Sequence, residues 1–379
     1  MRDYDGPSDV NANVVLDHDF PPLPFPDLAV EGHTPLIAKT DSNDLQALDP
    51  ITLEPLKAFK YSSFLPELTG PLSGSHGAKV NSTYYNYTLD FGPTPTYKLF
   101  ALGTDKNARV LANITDAPPA YIHSICATEN YVLFTAWQAD FSFYGLATLW
   151  NRNILDGLAP WDTQRSTLHY VIDRHTGEVA GRFTSAPMFA FHYINAYEED
   201  REDGGKDVVV EMSTYADNSF LAAAKVEQMR DFKRDEVGLP RYHRFGLCLD
   251  RESEAIVEME PRSDINIELA CVNPLFRQRR SRYIYGAHHT RSPEANDTFL
   301  DSIIKIDRDH PSFRAGYDMD RLIVEGAVRI WEEDGVVPGE PVFVPSPESR
   351  ADEPLTEEDG VLLIVVLDVR KQASELIVL

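Results

Sequence analysis

One pattern keeps returning along this chain. An alternating apolar run ends in aspartate, a short polar turn follows, and a second apolar run comes back. It reads LQALDPITLEPL at Asp49, LHYVIDRHTGEVAGRF at Asp173, RFGLCLDRESEAIVEM at Asp250, SIIKIDRDHPSFRAGY at Asp307 and LLIVVLDVRKQASELIVL at Asp368. Period-two alternation turns one face of a run to a core and the other to water, and Asp, Pro, Gly or Ser between two such runs is hairpin chemistry. Many hairpins at near-even spacing define an all-β repeat fold, with a β-propeller the foremost choice. Helical periodicity is scarce: 219–232 is the best candidate and 146–156 the second. Residues 1–33, with PPLPFP at their centre, read as an irregular lead-in. Residues 34–379 read as the sheet-bearing part, with no linker dividing it.

The ends look unfinished for a closed ring. SELIVL reads as the return strand of a hairpin with no capping turn, and a propeller must close because open sheet edges invite pairing. The hairpins and the strands near 85–140 supply roughly four to six blades at four strands each. The expectation is a propeller truncated at both ends.

Charge narrows the partners. A net charge of −25 leaves no basic stripe for nucleic acid and no simple electrostatic attraction to anionic lipid. Cys126, Cys248 and Cys271 sit in apolar surroundings without CxxC spacing. They read as buried small hydrophobes in a reducing, cytoplasmic compartment. The first residues carry no apolar signal core, and no apolar run is long enough to span a bilayer. Sequons at Asn81, Asn86, Asn113 and Asn296 then read as chance matches.

Three histidines share a setting of apolar or small neighbours near a strand end: His76 in GPLSGSHGAKV, His123 in PPAYIHSICATENYVLF and His192 in FHYINAYEED. Singly, each reads first as a core histidine with its ring N–H satisfied by a carbonyl. Inner strands of successive blades converge on one axis, however, so one histidine per blade can meet at a single ion. An all-imidazole set suits iron, copper or zinc. Such ligands need their second ring nitrogen fixed, usually by a carboxylate. Glu268 in DINIELACVNP, Glu340 in GEPVFVPSP and Asp41 in LIAKTDSNDL stand in suitable surroundings, each also readable as a turn or edge carboxylate. Asn195 and Glu198–Glu199 are read as fixing the exit of the His192 strand. His288 and His289 are adjacent, so on a strand they face opposite ways and cannot share an ion. No GxSxG, HExxH or P-loop occurs.

These segments together resemble the carotenoid cleavage oxygenases, and the fungal members among them. FHYINAYEE is similar to the family's F-H-x-x-N-A-[YW]-E-E segment. GSHGAKVNSTYYNYTLDFG and YIHSICATENYVLF resemble its first two histidine segments. EPVFVPSP with EEDGVLLIVVLD resembles its E-P-x-F-V-P-x-P and E-D-D-G segments. The resemblance runs from about Leu36 to Leu379. It implies a seven-bladed β-propeller, incomplete here, with few helices and long apolar loops. It also implies an Fe(II) centre with His76, His123 and His192 as ligands and Glu268 and Glu340 behind them. Asp41 falls where most members have Glu. The family's fourth histidine lies past the end of this chain.

The implied chemistry is oxidative cleavage by O2 of a conjugated C=C bond in a torulene- or β-carotene-like carotenoid, giving two carbonyl products. Stilbene cleavage is an alternative, and so is an inactive propeller fragment acting as a binding module. A three-histidine zinc hydrolase fits less well, since no base stands near the histidines. A long polyene needs an apolar tunnel, and WQADFSFYGLATLWNRNILDG supplies Trp137, Phe141, Phe143, Tyr144, Leu149 and Trp150 for its wall or for peripheral membrane contact. The same residues read equally as core packing.

Overall fold

The computed structural model describes residues 14–379 apart from 26–27, 29–31, 105–106, 146–153, 203, 226–227, 229–237, 250–256, 259–264, 291–299 and 349–355. Six sheets follow one another in chain order. The first holds β1 (Val15–Asp17), β2 (Leu36–Lys39), β3 (Leu45–Leu48) and β4 (Pro55–Phe59). The second holds β5 (Leu72–Ser73), β6 (Ala78–Val80), β7 (Thr83–Asp90), β8 (Thr96–Leu102) and β9 (Ala108–Ile114). The third holds β10 (Cys126–Ala127), β11 (Tyr131–Ala136), β12 (Thr167–Asp173) and β13 (Val179–Ser185). The fourth holds β14 (Phe189–Asp200), β15 (Lys206–Tyr215), β16 (Arg241–Cys248) and β17 (Val257–Glu258). The fifth holds β18 (Glu268–Cys271), β19 (Tyr283–His288), β20 (Ser302–Asp307) and β21 (Val328–Trp331). The sixth holds β22 (Val336–Pro345), β23 (Gly360–Asp368) and β24 (Ala373–Val378). Sheets made from consecutive strands are the blade pattern of a propeller. The lead-in is less irregular than its composition suggests, because β1 pairs with β2 through Val15↔Lys39 and Phe20 joins the core beside it.

The recurring aspartate is itself the turn. Asp49 Oδ1 accepts from the N–H groups of Ile51 (2.8 Å) and Thr52 (2.9 Å), and Asp173 Oδ1 from those of His175 (2.8 Å) and Thr176 (2.9 Å). Asp368 Oδ1 takes Arg370 N at 2.9 Å and Lys371 N at 3.1 Å. These are Asx turns, in which a short carboxylate satisfies the amides that the reversing chain exposes. The backbone bonds, Thr52 and Thr176 foremost, hold Asp49 and Asp173 below the usual carboxylate range.

The Asp307 segment is not a tight hairpin. Between β20 and β21 lie two helices, Pro311–Arg314 and Met319–Glu325. Each has its own start signal: His310 caps the first with Pro311 at its first turn, and Asp318 accepts from Arg321 N to cap the second. Capping residue plus Pro overrides the alternation. The 219–232 helix is described only as Ser219–Ala223, and most of 146–156 and Asp250 lie outside the described residues.

The molecule divides into two compact units, the first running to Phe191 and the second beginning at His192. The first has a core of Phe20, Ile37, Leu45, Phe59, Tyr61 and Phe100. The second has one core around Ile265, Ile284, Ile304 and Val328 and another around Tyr285, Phe343 and Ile364. β14 carries the chain from the first unit into the second.

Candidate metal centre

In the first unit the site is built on Asp41, just past β2. Its backbone oxygen accepts from Ser73 N (3.1 Å) while Asn43 N reaches Pro71 O (2.9 Å). The 41–43 segment is thereby stitched to 71–73, two residues ahead of Ser75. The Asp41 side chain is 1% exposed and fully used. Oδ1 lies 2.6 Å from His123 Nδ1 and accepts from Ser75 Oγ at 2.8 Å; Oδ2 accepts from the Tyr121 hydroxyl at 2.7 Å. A carboxylate facing Nδ1 places the imidazole proton there and leaves the Nε2 lone pair for another partner. Burial, then the Asp41 charge, pushes the Tyr121 phenol well above its usual value. It stays protonated and donates.

His76 and His123 are brought together. His76 N donates to His123 O (3.1 Å) and Ile125 N to His76 O (3.0 Å), a single parallel bridge between otherwise separate segments. The ring centroids lie 4.9 Å apart, and each ring offers a nitrogen within 4.8 Å of the other's. Gly77 makes this possible, because a Cβ there would stand 2.4 Å from the Tyr84 ring.

Phe191, the last residue of the first unit, packs its ring edge-to-face on His123 with centroids 5.6 Å apart, and its carbonyl accepts the Ser124 hydroxyl at 2.5 Å. The next residue along β14 is His192. In the second unit, His192 Nδ1 lies 2.6 Å from Glu268 Oε2, and that oxygen also accepts from Leu269 N at 2.6 Å. Leu269 adopts a left-handed φ of 50°, costly for a bulky residue, where the β18–β19 register shifts. The bulge re-aims Glu268. Opposite it, a Cβ on Gly286 would sit 2.5 Å from Ile267. Burial, then the Glu268 charge, raises the Tyr215 phenol well above its usual value.

The remaining candidates are scattered. Glu340 is exposed, in the bulged stretch of β22 between Pro338 and Pro341. Asn195 clamps a loop, donating to Arg279 O (2.8 Å) and accepting from Gln278 N (3.3 Å); Glu199 pairs with Arg244 at 2.7 Å. Asn195 thus sits in the middle of β14 rather than at its exit, and Glu199 is the one near the strand's end. Trp137 is buried with its N–H on Tyr121 O (2.9 Å), and Phe141 is buried against Phe91. Phe143 and Tyr144 are 75% and 58% exposed. Leu149 and Trp150 lie outside the described residues. The carboxylate partners Ser75, Tyr121 and Tyr215 escaped the sequence reading. Yet Tyr121 precedes His123 by two positions and so shares its face in extended backbone, a signal that was available.

The donor chemistry fits a metal. Two imidazoles are fixed through Nδ1 by buried carboxylates, and a third is held beside one of them. Neutral nitrogen donors with carboxylate support suit a borderline divalent ion such as iron.

Comparison with known proteins places the chain. The similarity to a mutant of the Synechocystis apocarotenoid oxygenase (ACO) has a TM-score of 0.70 at 20% identity, covering 91% of this chain and 66% of that one. The cobalt-substituted form of the same enzyme gives 0.69 at 20% identity over the same shares. The fold is therefore the all-β propeller, with six sheets described here. The family model "RPE65: Retinal pigment epithelial membrane protein" matches residues 4–379, and the chain belongs to this RPE65/carotenoid oxygenase family. A carotenoid dioxygenase of Neurospora crassa is 30% identical over 395 residues, 93% of this chain and 60% of the relative. A torulene dioxygenase of Gibberella fujikuroi is 30% identical over 364 residues, 88% of this chain and 59% of the relative. The chain thus spans about three-fifths of the length of these relatives.

Proposed function

We propose that this chain contributes the metal-binding face of a non-haem iron dioxygenase that cleaves a conjugated C=C bond of a torulene- or β-carotene-like carotenoid to two carbonyl products. His76, His123 and His192 would hold Fe(II), with Asp41 and Glu268 orienting His123 and His192, and Glu340 would stand behind a further ligand. The observation that carries this is the repeated pair: His123–Asp41 and His192–Glu268, each at 2.6 Å through Nδ1, on a chain 30% identical to fungal carotenoid and torulene dioxygenases.

Bound ferrous iron supplies activation of O2 toward an alkene. The chain's own residues do the positioning. Asp41 and Glu268 would hold a ring proton of their histidines at Nδ1, which directs Nε2 to the ion. The aromatic wall of Phe191, Tyr121 and Trp137 keeps water from the His123 side. No general base is required of the protein.

The substrate class fits an enzyme working from the cytoplasm at a membrane surface, where polyenes dissolve. Among the described residues no helix is long and apolar enough to cross a membrane. Phe143 and Tyr144, both exposed, supply an apolar tip for peripheral contact. The test is anaerobic Fe(II) loading of the chain, then incubation with β-carotene or torulene under O2. Iron near one per chain and an aldehyde product uphold the reading. A folded chain that takes up no iron, or iron without aldehyde, overturns it in favour of a binding module.

A further inference from the structure

Glu268 and Asp41 do the same job with side chains of different length. Each lies 2.6 Å from the Nδ1 of its histidine, although aspartate lacks one methylene and so reaches about 1.5 Å less. Two features make up the difference in the first unit. The backbone is brought in and pinned: besides the Ser73–Asp41 and Asn43–Pro71 bonds, the Asn43 side chain donates to Leu68 O (2.9 Å) and Gly70 O (2.8 Å) and accepts from Tyr61 N (2.9 Å). The carboxylate is then fixed in rotation by donors on both oxygens, Ser75 at Oδ1 and Tyr121 at Oδ2.

We infer that Tyr121 and Ser75 are positioning residues that lock the Asp41 carboxylate onto His123, and that through Ser75 the same carboxylate ties the His76 segment to the His123 segment. Ser75 is the residue before His76, and Tyr121 lies two before His123, so one buried carboxylate gathers both ligand-bearing stretches. Neither hydroxyl needs to touch the metal. They act by removing the rotational freedom of a short side chain, so that His123 is held in one tautomer and one orientation before any ion arrives.

This rests on the proposed metal reading, and its test is built to fail separately. The parent chain and the variants Tyr121→Phe, Ser75→Ala, the two combined, and Asp41→Glu are titrated anaerobically with Fe(II) and with Co(II), whose visible absorption reports ligand geometry. Loss of an outer partner typically costs about 10–100-fold in metal affinity. Each single variant is expected to weaken binding about tenfold and the pair by more, with melting temperatures close to the parent's. Asp41→Glu is expected to bind as poorly as the pair, since the pinned backbone leaves a longer side chain misplaced. Alongside, 15N spectra of labelled histidine in metal-free protein should give His123 as a single tautomer protonated at Nδ1 in the parent, and a tautomer mixture in the combined variant. Unchanged affinity and an unchanged tautomer in that variant overturn the inference. If the parent binds neither ion, the metal reading falls, and the metal-free tautomer comparison still decides the positioning role.

Discussion

Acid should loosen this protein through a histidine that takes no part in the metal chemistry. His169, on β12, is 1% exposed; its Nδ1 lies 3.1 Å from Thr135 Oγ1 and its Nε2 3.0 Å from Ser185 Oγ. Burial pushes its pKa down to about 3 from 6.5. The unfolded chain therefore takes up a proton near pH 6.5 while the folded chain refuses it until about pH 3, so stability is full above pH 6.5 and drains away between the two values. At about 1.4 kcal/mol per pH unit the whole effect approaches 5 kcal/mol, and about 2 kcal/mol of it is gone by pH 5. His169→Gln keeps a neutral group able to bond both hydroxyls and carries no titration. Urea unfolding at pH 7.5 and pH 5.0 should show the parent losing about 2 kcal/mol more than His169→Gln between the two conditions. The comparison cancels every other titrating group and any fixed cost of the substitution. Equal losses in the two proteins would refute the assignment of that acid sensitivity to His169.

Three further outcomes follow from the second unit and the surface. Arg308 and Glu211 form an ion pair with side chains only 4% and 0% exposed, so Arg308→Met alone should cost about 3–5 kcal/mol in chemical unfolding, and Arg308→Met with Glu211→Leu should recover most of it. Gly286→Ala drives a Cβ to 2.5 Å from Ile267, overpacking worth about 1–3 kcal/mol; it should also weaken Fe(II) binding by shifting the neighbouring Glu268, whereas a loss of stability with unchanged metal affinity would uncouple the two. Phe143 and Tyr144 have left-handed φ values of 50° and 55°, which asparagine tolerates; Phe143→Asn/Tyr144→Asn should fold normally and sediment less with phosphatidylcholine vesicles than the parent does.

The repeating strands were legible because a period-two pattern needs only local sequence, and because the residue that ends each run is the one that closes the turn. Asp49, Asp173 and Asp368 announce hairpins with the same atoms that make them. The Asp307 segment misled for the same reason: its alternation is real through β20, but a His–Pro start and an Asp cap redirect the chain into two helices before the partner strand arrives. β1 was obscured because three residues paired to β2 leave too short a pattern amid proline. Cys126, Cys248 and Cys271 form no disulfide; Cys248 is buried as its surroundings suggested, whereas Cys126 and Cys271 are only half-buried, and desolvation pushes the Cys271 thiol up to about 12.

The site divides differently. The histidines could be found by their apolar settings, because a polar ring in a strand core demands an explanation within a few residues of itself. Asp41 and Glu268 stand out by their surroundings too, but their pairing with particular histidines does not, since Asp41 lies 82 positions from His123 and Glu268 lies 76 from His192. Only the fold closes those distances, and it does so by different local means: a pinned turn and two hydroxyl donors for Asp41, a bulge with a strained Leu269 for Glu268. What recurs between the two pairs is a requirement rather than a sequence motif. The Nδ1 proton must meet a buried carboxylate at hydrogen-bond distance, and a tyrosine, Tyr121 in one case and Tyr215 in the other, stands against that carboxylate with its phenol held protonated. Sequence patterns record how each strand is made, whereas the imidazole lone pairs are aimed by residues whose only common property is where the strands deliver them.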